Sequence, residues 1–291
     1  MKTEYSFNDV PENFGMLEYL SKKQVLTDSH VIESVKNYTF NEFTLEELNL
    51  PPAQELLQST LLIKKEVGLR GWKNKDIASQ SYRGFSITYN PDFYDKTTSI
   101  HHQTWGSNLL TQSFGKINGL GDHSFIKNTY YDTYSFRKRP PSVEKHLGKF
   151  LDCFRFPVFR SRAAFLNLCL QKVNDNEGWH VDEPPTYLTR LNIPLQTSQE
   201  HVLEIKGQDE FGNSLNMTKH LEVGKAYIWN TRIPHRVTTT STSFLDRDRI
   251  HLVIGLSPWL GYNPINDTMF KSEFFGMPLR DIISNKHFIK L

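Results

Sequence analysis

The chain has 291 residues, with 34 Lys and Arg against 32 Asp and Glu for a net charge of +2. That length suits one domain with extensions rather than several domains. The near balance of charge, with no long basic run, gives no reason to expect nucleic acid as a partner.

The first residues, MKTEYSFNDVPENF, are acidic and lack an apolar core, so no signal peptide is expected. No apolar run reaches bilayer-spanning length, so no membrane is expected either. Residues 1 to about 75 read as helix and loop. Within 44–65, Leu45, Leu48, Leu56, Leu57, Leu61 and Leu62 stand at near-helical spacing, interrupted by Pro51 and Pro52. In YDTYSFRKRPP, Tyr134 and Phe136 pack or line a pocket, and Arg137 and Arg139 read as solvated charge. Residues 142–154, SVEKHLGKFLDCF, form a cleaner helix with Ser142 as N-cap and Glu144 in the first turn. Lys145 stands where a capping box needs Glu or Gln. Leu147, Phe150, Leu151 and Phe154 make one apolar face. Cys153 and Cys169 belong to no CxxC pattern and read as free thiols, which fits a soluble, cytoplasmic protein.

Beyond Pro157 the texture changes. Residues 163–173, 187–197, 201–206, 225–230, 235–240 and 249–256 are short, β-rich and separated by turn signals such as EFGNS and Gly224. Such a run of strands predicts a mainly β sandwich or barrel. The expected division is an N-terminal helical and loop extension over 1–95, a β core over 96–262, and a C-terminal extension over 263–291 that packs on it or ends in a short helix.

The chemistry gathers around GWHVDEPP, residues 178–185. On extended backbone, His180 and Asp182 leave the same face. A lone His-x-Asp is a weak signal, but His235 opens a β-like segment after Pro234. Two neutral imidazoles and one carboxylate make a facial triad that holds divalent iron and leaves positions open for a bidentate co-substrate and dioxygen. His220 with Glu222 is the formal rival pair; His101 and His102 are adjacent and point apart. Trp179 is expected to pack in the core, and Pro184 with Pro185 to fix the loop over the open side.

In RIHLVIGL, Arg249 and His251 share one strand face with Val253, and a guanidinium projecting into a half-buried strand needs an anion. Arg247, two positions earlier, is a rival for that role. Arg190 and Asn192 share a face in the same way. Arg160 and Arg162 either hold a substrate carboxylate or lie on the surface, and Arg232 and Arg236 read first as solvated charge.

Taken together, WHVDEPPTYLTRLNIPLQT, LEVGKAYIWNTRIPHRV and DRDRIHLVIGL resemble the iron(II)- and 2-oxoglutarate-dependent oxygenases. Within these they are similar to the aspartyl/asparaginyl β-hydroxylase group and its bacterial proline-hydroxylase relatives, over about residues 163–256. The resemblance implies a double-stranded β-helix, that is, a cupin-like jelly roll. It also implies His180, Asp182 and His235 as iron ligands, and Arg249 with His251 beside it as the grip on 2-oxoglutarate. Arg190 and Asn192 fall where the family's R-x-H-x-P-L strand meets co-substrate or substrate, with Asn192 in place of histidine. The implied reaction consumes O2 and 2-oxoglutarate, yields succinate and CO2, and hydroxylates an unactivated C–H bond of an amino acid, as a free small molecule or within a peptide. Two other classes stay open: a cupin-like metalloenzyme without 2-oxoglutarate, and a non-catalytic β-sandwich binding module.

Overall fold

Period-two alternation along the strands decides which side chains lie between the sheets. The computed structural model describes residues 3–11, 14–71, 82–92, 99–103, 132–166, 178–239 and 248–290. The strands are β1 (Glu4–Ser6), β2 (Phe40–Thr44), β3 (Arg70–Gly71), β4 (Tyr82–Ser86), β5 (Val158–Leu166), β6 (Thr189–Gln196) and β7 (His201–Gln208). There follow β8 (Ser214–His220), β9 (Lys225–Trp229), β10 (His235–Thr239), β11 (Arg249–Leu256), β12 (Leu260–Asn263) and β13 (Thr268–Lys271). The helices are α1 (Met16–Lys22), α2 (Asp28–Val35), α3 (Ala53–Val67), α4 (Pro141–Leu151) and α5 (Leu279–Ser284).

A seven-stranded sheet runs in the order β2-β9-β6-β11-β5-β4-β3, and a three-stranded sheet in the order β10-β7-β8. From β6 onward the chain alternates between them: β6 in the large sheet, β7 and β8 in the small, then β9, β10 and β11 in large, small and large. That winding is a double-stranded β-helix, the jelly-roll architecture of the cupins, with helices flanking it. A third small sheet, β1-β13-β12, joins the two ends of the chain.

One face of the large sheet is apolar throughout. Leu191, Ile193 and Leu195 of β6, Ile250, Leu252 and Ile254 of β11, and Phe165 of β5 belong to the main core together with Leu56 and Ile63 of α3 and Leu147 of α4. The other face carries Arg190 and Asn192 of β6, Arg249 and His251 of β11, and Arg162 of β5. Register aligns them, with Val253 opposite Asn192 on one side and Arg162 on the other. A smaller cluster of Leu203, Ile205, Leu221, Tyr227, Trp229 and Ile233 fills the space toward the small sheet. The polar face therefore looks into the sandwich rather than into solvent.

Several local expectations change. The stretch read as helix and loop also supplies β2 and β4, which pair with β9 and β5. Helix α3 starts only after the two prolines, so its buried face is Ala53, Leu56, Thr60 and Ile63, while Leu61 and Leu62 are exposed. Ser142 is not the cap of α4: Pro141 opens that helix, as a residue with no N–H to leave unsatisfied, and Ser142 Oγ meets His101 Nδ1 at 3.3 Å. Phe154, just past α4, packs edge-on against Phe150 at 5.3 Å. The strand expected from residue 163 begins at Val158; residues 167–173, with Cys169, lie outside the described residues, as does Arg247. The polar stretch ending at His220 is a strand, β8, because β7 pairs along its whole length. The C-terminal segment holds β13 and α5. Among the described residues, no helix is long and apolar enough to cross a membrane.

Candidate metal centre

Residues 178–182 and 231–235 run antiparallel and tie the site together. The amide of His180 donates to the carbonyl of His235 at 3.1 Å and the reverse bond is 3.0 Å, while Asp182 N–H donates to Thr231 O at 2.9 Å. Gly178 has φ +90°, a backbone region that favours glycine, and it turns the chain into this short ladder. Both imidazoles and the Asp182 carboxylate thus come from one extended patch. One ligand atom from each of the three lies within 4.8 Å of the others, and the group could hold a metal ion.

The tautomers suit that role. His180 Nδ1 lies 2.8 Å from Gly178 O, and His235 Nδ1 lies 3.0 Å from Ile233 O. A carbonyl can only accept, so each Nδ1 carries the proton and each Nε2 presents a lone pair. Those Nε2 atoms stand 4.0 Å and 3.6 Å from Asp182 Oδ2. Burial pushes His235 down to about 4. His180 is lowered to about 3, by desolvation first and by the neighbouring His235 second, although the 53 % of its side chain open to solvent screens that shift more than at His235. Trp229 meets His235 edge-on at 5.7 Å and walls its inner side.

Around Asp182 lies a charged chain that the sequence did not reveal. Arg190, on β6, donates through Nη1 to Asp182 and through Nη2 to Glu183. Glu183 is buried, accepts a further bond from Arg160 and takes Thr133 Oγ1–H at 3.0 Å. Against the cost of burial, Arg160 leads the interactions that hold the Glu183 carboxyl below its ordinary range. Arg160 reaches it because β5 bulges against β11 between Val253 and Gly255, with Arg160 at φ +38° and Ser161 Oγ accepting the Gly255 amide at 2.8 Å. Arg160 is therefore a structural partner and not a surface charge. The only sequence signal for Glu183 was an acid placed between a candidate ligand and two prolines. Those prolines are buried and make the turn into β6, where Pro184 O accepts the Tyr187 amide at 2.9 Å.

At the far end of the same inner face, Arg249 is 7 % exposed, and among the described residues it has no carboxylate partner; its Nη2 donates to His251 Nδ1 at 3.1 Å. Burial pushes Arg249 down to about 10. Asp248 is occupied by Arg83, at 3.0 and 3.1 Å. Asn192 is buried, its amide donating to Arg190 O at 3.3 Å.

The other candidates fall elsewhere. Trp179 is half-buried with the Arg236 guanidinium 4.8 Å over its ring, because the inner space beside the ligands is already filled by Trp229. Arg236 is not free charge, since it pairs with Glu204, and Arg232 pairs with Glu210 at 2.7 Å. Arg137 is buried between Asp92 and Asp267, both at 2.7 Å from it or closer, and stacks on Phe7; only Arg139, with Glu144 and Asp152, keeps the expected surface character. Tyr134 and Phe136 are buried, and Tyr134 packs on Phe159 at 5.2 Å. His220 Nδ1 is spent on His201 O at 3.1 Å, and Glu222 on Lys225; His102 Nε2 meets Gly68 O at 3.5 Å.

No family model matches the chain, and no curated protein matches it. Among solved structures it is similar to a prolyl-4-hydroxylase from Pseudomonas putida, at 9 % identity over 78 % of this chain and 97 % of that one, with a TM-score of 0.35. It is also similar to an oxidoreductase of the 2OG-Fe(II) oxygenase family from Burkholderia pseudomallei, at 11 % identity, 79 % and 89 % coverage and a TM-score of 0.35. A third is the non-heme alpha ketoglutarate dependent epimerase SnoN from nogalamycin biosynthesis, at 8 % identity, 79 % and 80 % coverage and a TM-score of 0.36.

Proposed function

We propose that the protein is an iron(II)- and 2-oxoglutarate-dependent dioxygenase. Its reaction hydroxylates an unactivated C–H bond of an amino acid, free or within a peptide, with succinate and CO2 as co-products. The observation that carries this reading is the convergence of His180, Asp182 and His235 within 4.8 Å, with both Nε2 lone pairs turned toward the carboxylate. A carboxylate with two neutral imidazoles is the donor set of a facial triad and suits iron(II). Such iron, when bound with 2-oxoglutarate, supplies the activation of dioxygen and the oxidising step.

The chain's own residues supply the rest. The Gly178 and Ile233 carbonyls fix both rings, and Arg190 fixes the carboxylate, so the ligands need no reorganisation. Arg249 and His251 hold the distal carboxylate of the co-substrate, since a buried guanidinium with no internal carboxylate calls for an external one. Arg162, on the same inner face, adds positive charge suited to the carboxylate of an amino-acid substrate. The same cation-rich interior argues against nucleic acid or a membrane surface as the ligand and for a small anionic molecule or peptide end.

The test is an anaerobic titration of metal-free protein with iron(II) and then 2-oxoglutarate, following the visible charge-transfer absorption of the chelate. Wild-type protein develops the band, His180→Ala abolishes it, and Arg249→Ala weakens 2-oxoglutarate binding about tenfold to a hundredfold while iron still binds. Iron binding without a band would instead favour a cupin-like metalloenzyme of other chemistry. Failure to bind either would reduce the triad to part of a β-sandwich binding module.

A further inference from the structure

The charged chain behind Asp182 ends on a turn that also grips the N-terminal helix. Thr133, whose hydroxyl donates to Glu183 at 3.0 Å, opens a short 3-10 helical turn over Thr133–Ser135. The Asp132 carboxylate just before it is fully buried. One of its oxygens accepts the Tyr134 amide at 2.8 Å and closes the turn. The other accepts the Leu17 amide at 2.7 Å, in the first turn of α1. Gly15 stands at the cap of α1 and has no side chain to offer, so a carboxylate from 115 residues further along the chain takes that place.

Gly15 is also what lets Asp132 in. A Cβ at Gly15 would lie 2.5 to 2.8 Å from Asp132 side-chain atoms, Cβ among them, which is too close to tolerate. Its φ of −87° is open to every residue, so the glycine serves the close approach and not the backbone.

The same turn is bonded on two more sides. Tyr134 Oη donates to Tyr187 O at 3.2 Å, in the loop that follows Asp182 and Glu183. Phe136 O accepts the Arg160 amide at 3.1 Å, at the bulge of β5. Residues 132–136 thus stand where α1, the loop over 183–187 and β5 meet. Burial raises the Asp132 carboxyl to about 6, although both amide bonds and the charges of Arg137 and Arg160 work against that rise. A buried carboxylate that its surroundings do not fully compensate is a cost to the fold. An apolar side chain would fill the space with less penalty, but it could not lock turn and helix into one geometry.

From this turn the link to the metal centre is short. Thr133 and Arg160 meet Glu183, Glu183 meets Arg190, and Arg190 meets the carboxylate of Asp182. The partners that orient a ligand set its affinity for the ion.

We infer that Asp132 and Thr133 are positioning residues for the metal centre, through which the N-terminal helix α1 sets the orientation of the Asp182 carboxylate. The inference rests on the metal centre of the oxygenase reading above and not on its substrate.

The experiment titrates metal-free protein with cobalt(II), which binds such a donor set at least as tightly as iron(II). It follows both the affinity and the visible absorption band of the bound ion. Thr133→Val keeps the shape of the side chain and removes its hydroxyl. It should weaken cobalt(II) about threefold to tenfold, less than the roughly tenfold to hundredfold typical of a group that touches a ligand directly, and it should shift the band. Thr133→Ser, which keeps the hydroxyl, should restore both. Gly15→Ala should act like Thr133→Val from the far end of the link; if it does not fold, Asp132→Asn takes its place. Ile282→Ala, a core change in α5, should lower the unfolding midpoint and leave the band of the bound ion as in wild type. Wild-type affinity and band in Thr133→Val overturn the inference. So does a wild-type band in the folded Gly15 or Asp132 variant, since α1 would then have no part in the site. An equal shift in Ile282→Ala overturns it too, since that would mark general loosening. In each of these cases cobalt(II) still binds and the oxygenase reading stands. A wild-type protein that binds no cobalt(II) sinks that reading first, and the inference with it.

Discussion

At the triad end of the inner face, Arg190 reaches Asp182 and Glu183, and Glu183 is shared with Arg160 and Thr133. At the other end, Arg249 has no carboxylate partner among the described residues; its Nη2 donates to the neutral His251, whose buried Nε2 has no hydrogen-bond partner among them. Both arginines come from strands of the same sheet and are buried to the same degree, at 6 % and 7 % exposure. What separates them is internal compensation. A buried cation matched by two carboxylates is part of the scaffold, and one matched by none is free to meet an external anion, as the proposed function requires. On the function proposed above, the difference would let one face hold a metal ligand rigidly and still bind a charged small molecule.

The sharpest way to break this comparison is to remove the compensating acid. Glu183→Gln leaves Arg160 and Arg190 facing a neutral amide in a buried position, and breaking such a network costs about 3–5 kcal/mol. Thermal and denaturant unfolding should show that loss. Because Arg190 would no longer be held toward Asp182, iron(II) affinity should fall as well, read by metal titration of the fraction that stays folded. If Glu183→Gln were neutral in stability, Arg190 and Arg249 would not differ in the way argued.

Replacing Arg249 is expected to act with the opposite sign. In ligand-free protein Arg249→Met removes a buried charge that has no carboxylate partner among the described residues and keeps a side chain of similar length, so the unfolding midpoint should rise. The same variant should lose the stabilisation that added 2-oxoglutarate gives the wild type in the presence of iron(II). Stabilisation without ligand, together with loss of the ligand response, is a pairing that Arg190→Met should not show.

How much of this was legible in the sequence depends on where each partner lies. His180 and Asp182 are two positions apart on one extended segment, so their shared face could be read from period two alone, and the Arg249–His251 face could be read in the same way. Glu183 could not, because its partners Arg160 and Thr133 arrive from β5 and from the turn before α4, brought in by a bulge and a positive φ that no local pattern announces. His201 was legible as the start of a strand but its burial was not, since that depends on which side of the small sheet faces the large one. Strand β2 was missed because its burial is only partial along most of its length, as expected for an edge strand. Ser142 looked like a cap and is not one, because Pro141 fits the first helical position better.

The smallest effect tests the Arg249 end through pH. His201 is lowered to about 4, by burial first and then by Arg249; His220 on β8 works in the same direction, while Glu200 in the preceding turn and Asp248 at the start of β11 oppose it. A histidine whose folded value lies below its ordinary 6.5 binds fewer protons in the folded chain than in the unfolded one. Its contribution is therefore intact above pH 6.5 and is lost as pH falls from there toward 4. Between pH 7 and pH 5 this site should cost the ligand-free protein about 2 kcal/mol. His201→Asn, which cannot titrate, should flatten the pH dependence of unfolding by that amount. An unchanged slope in the variant would mean that His201 is charged by some other acid in the fold, and the end of the pocket around Arg249 would then be compensated like the end around Arg190.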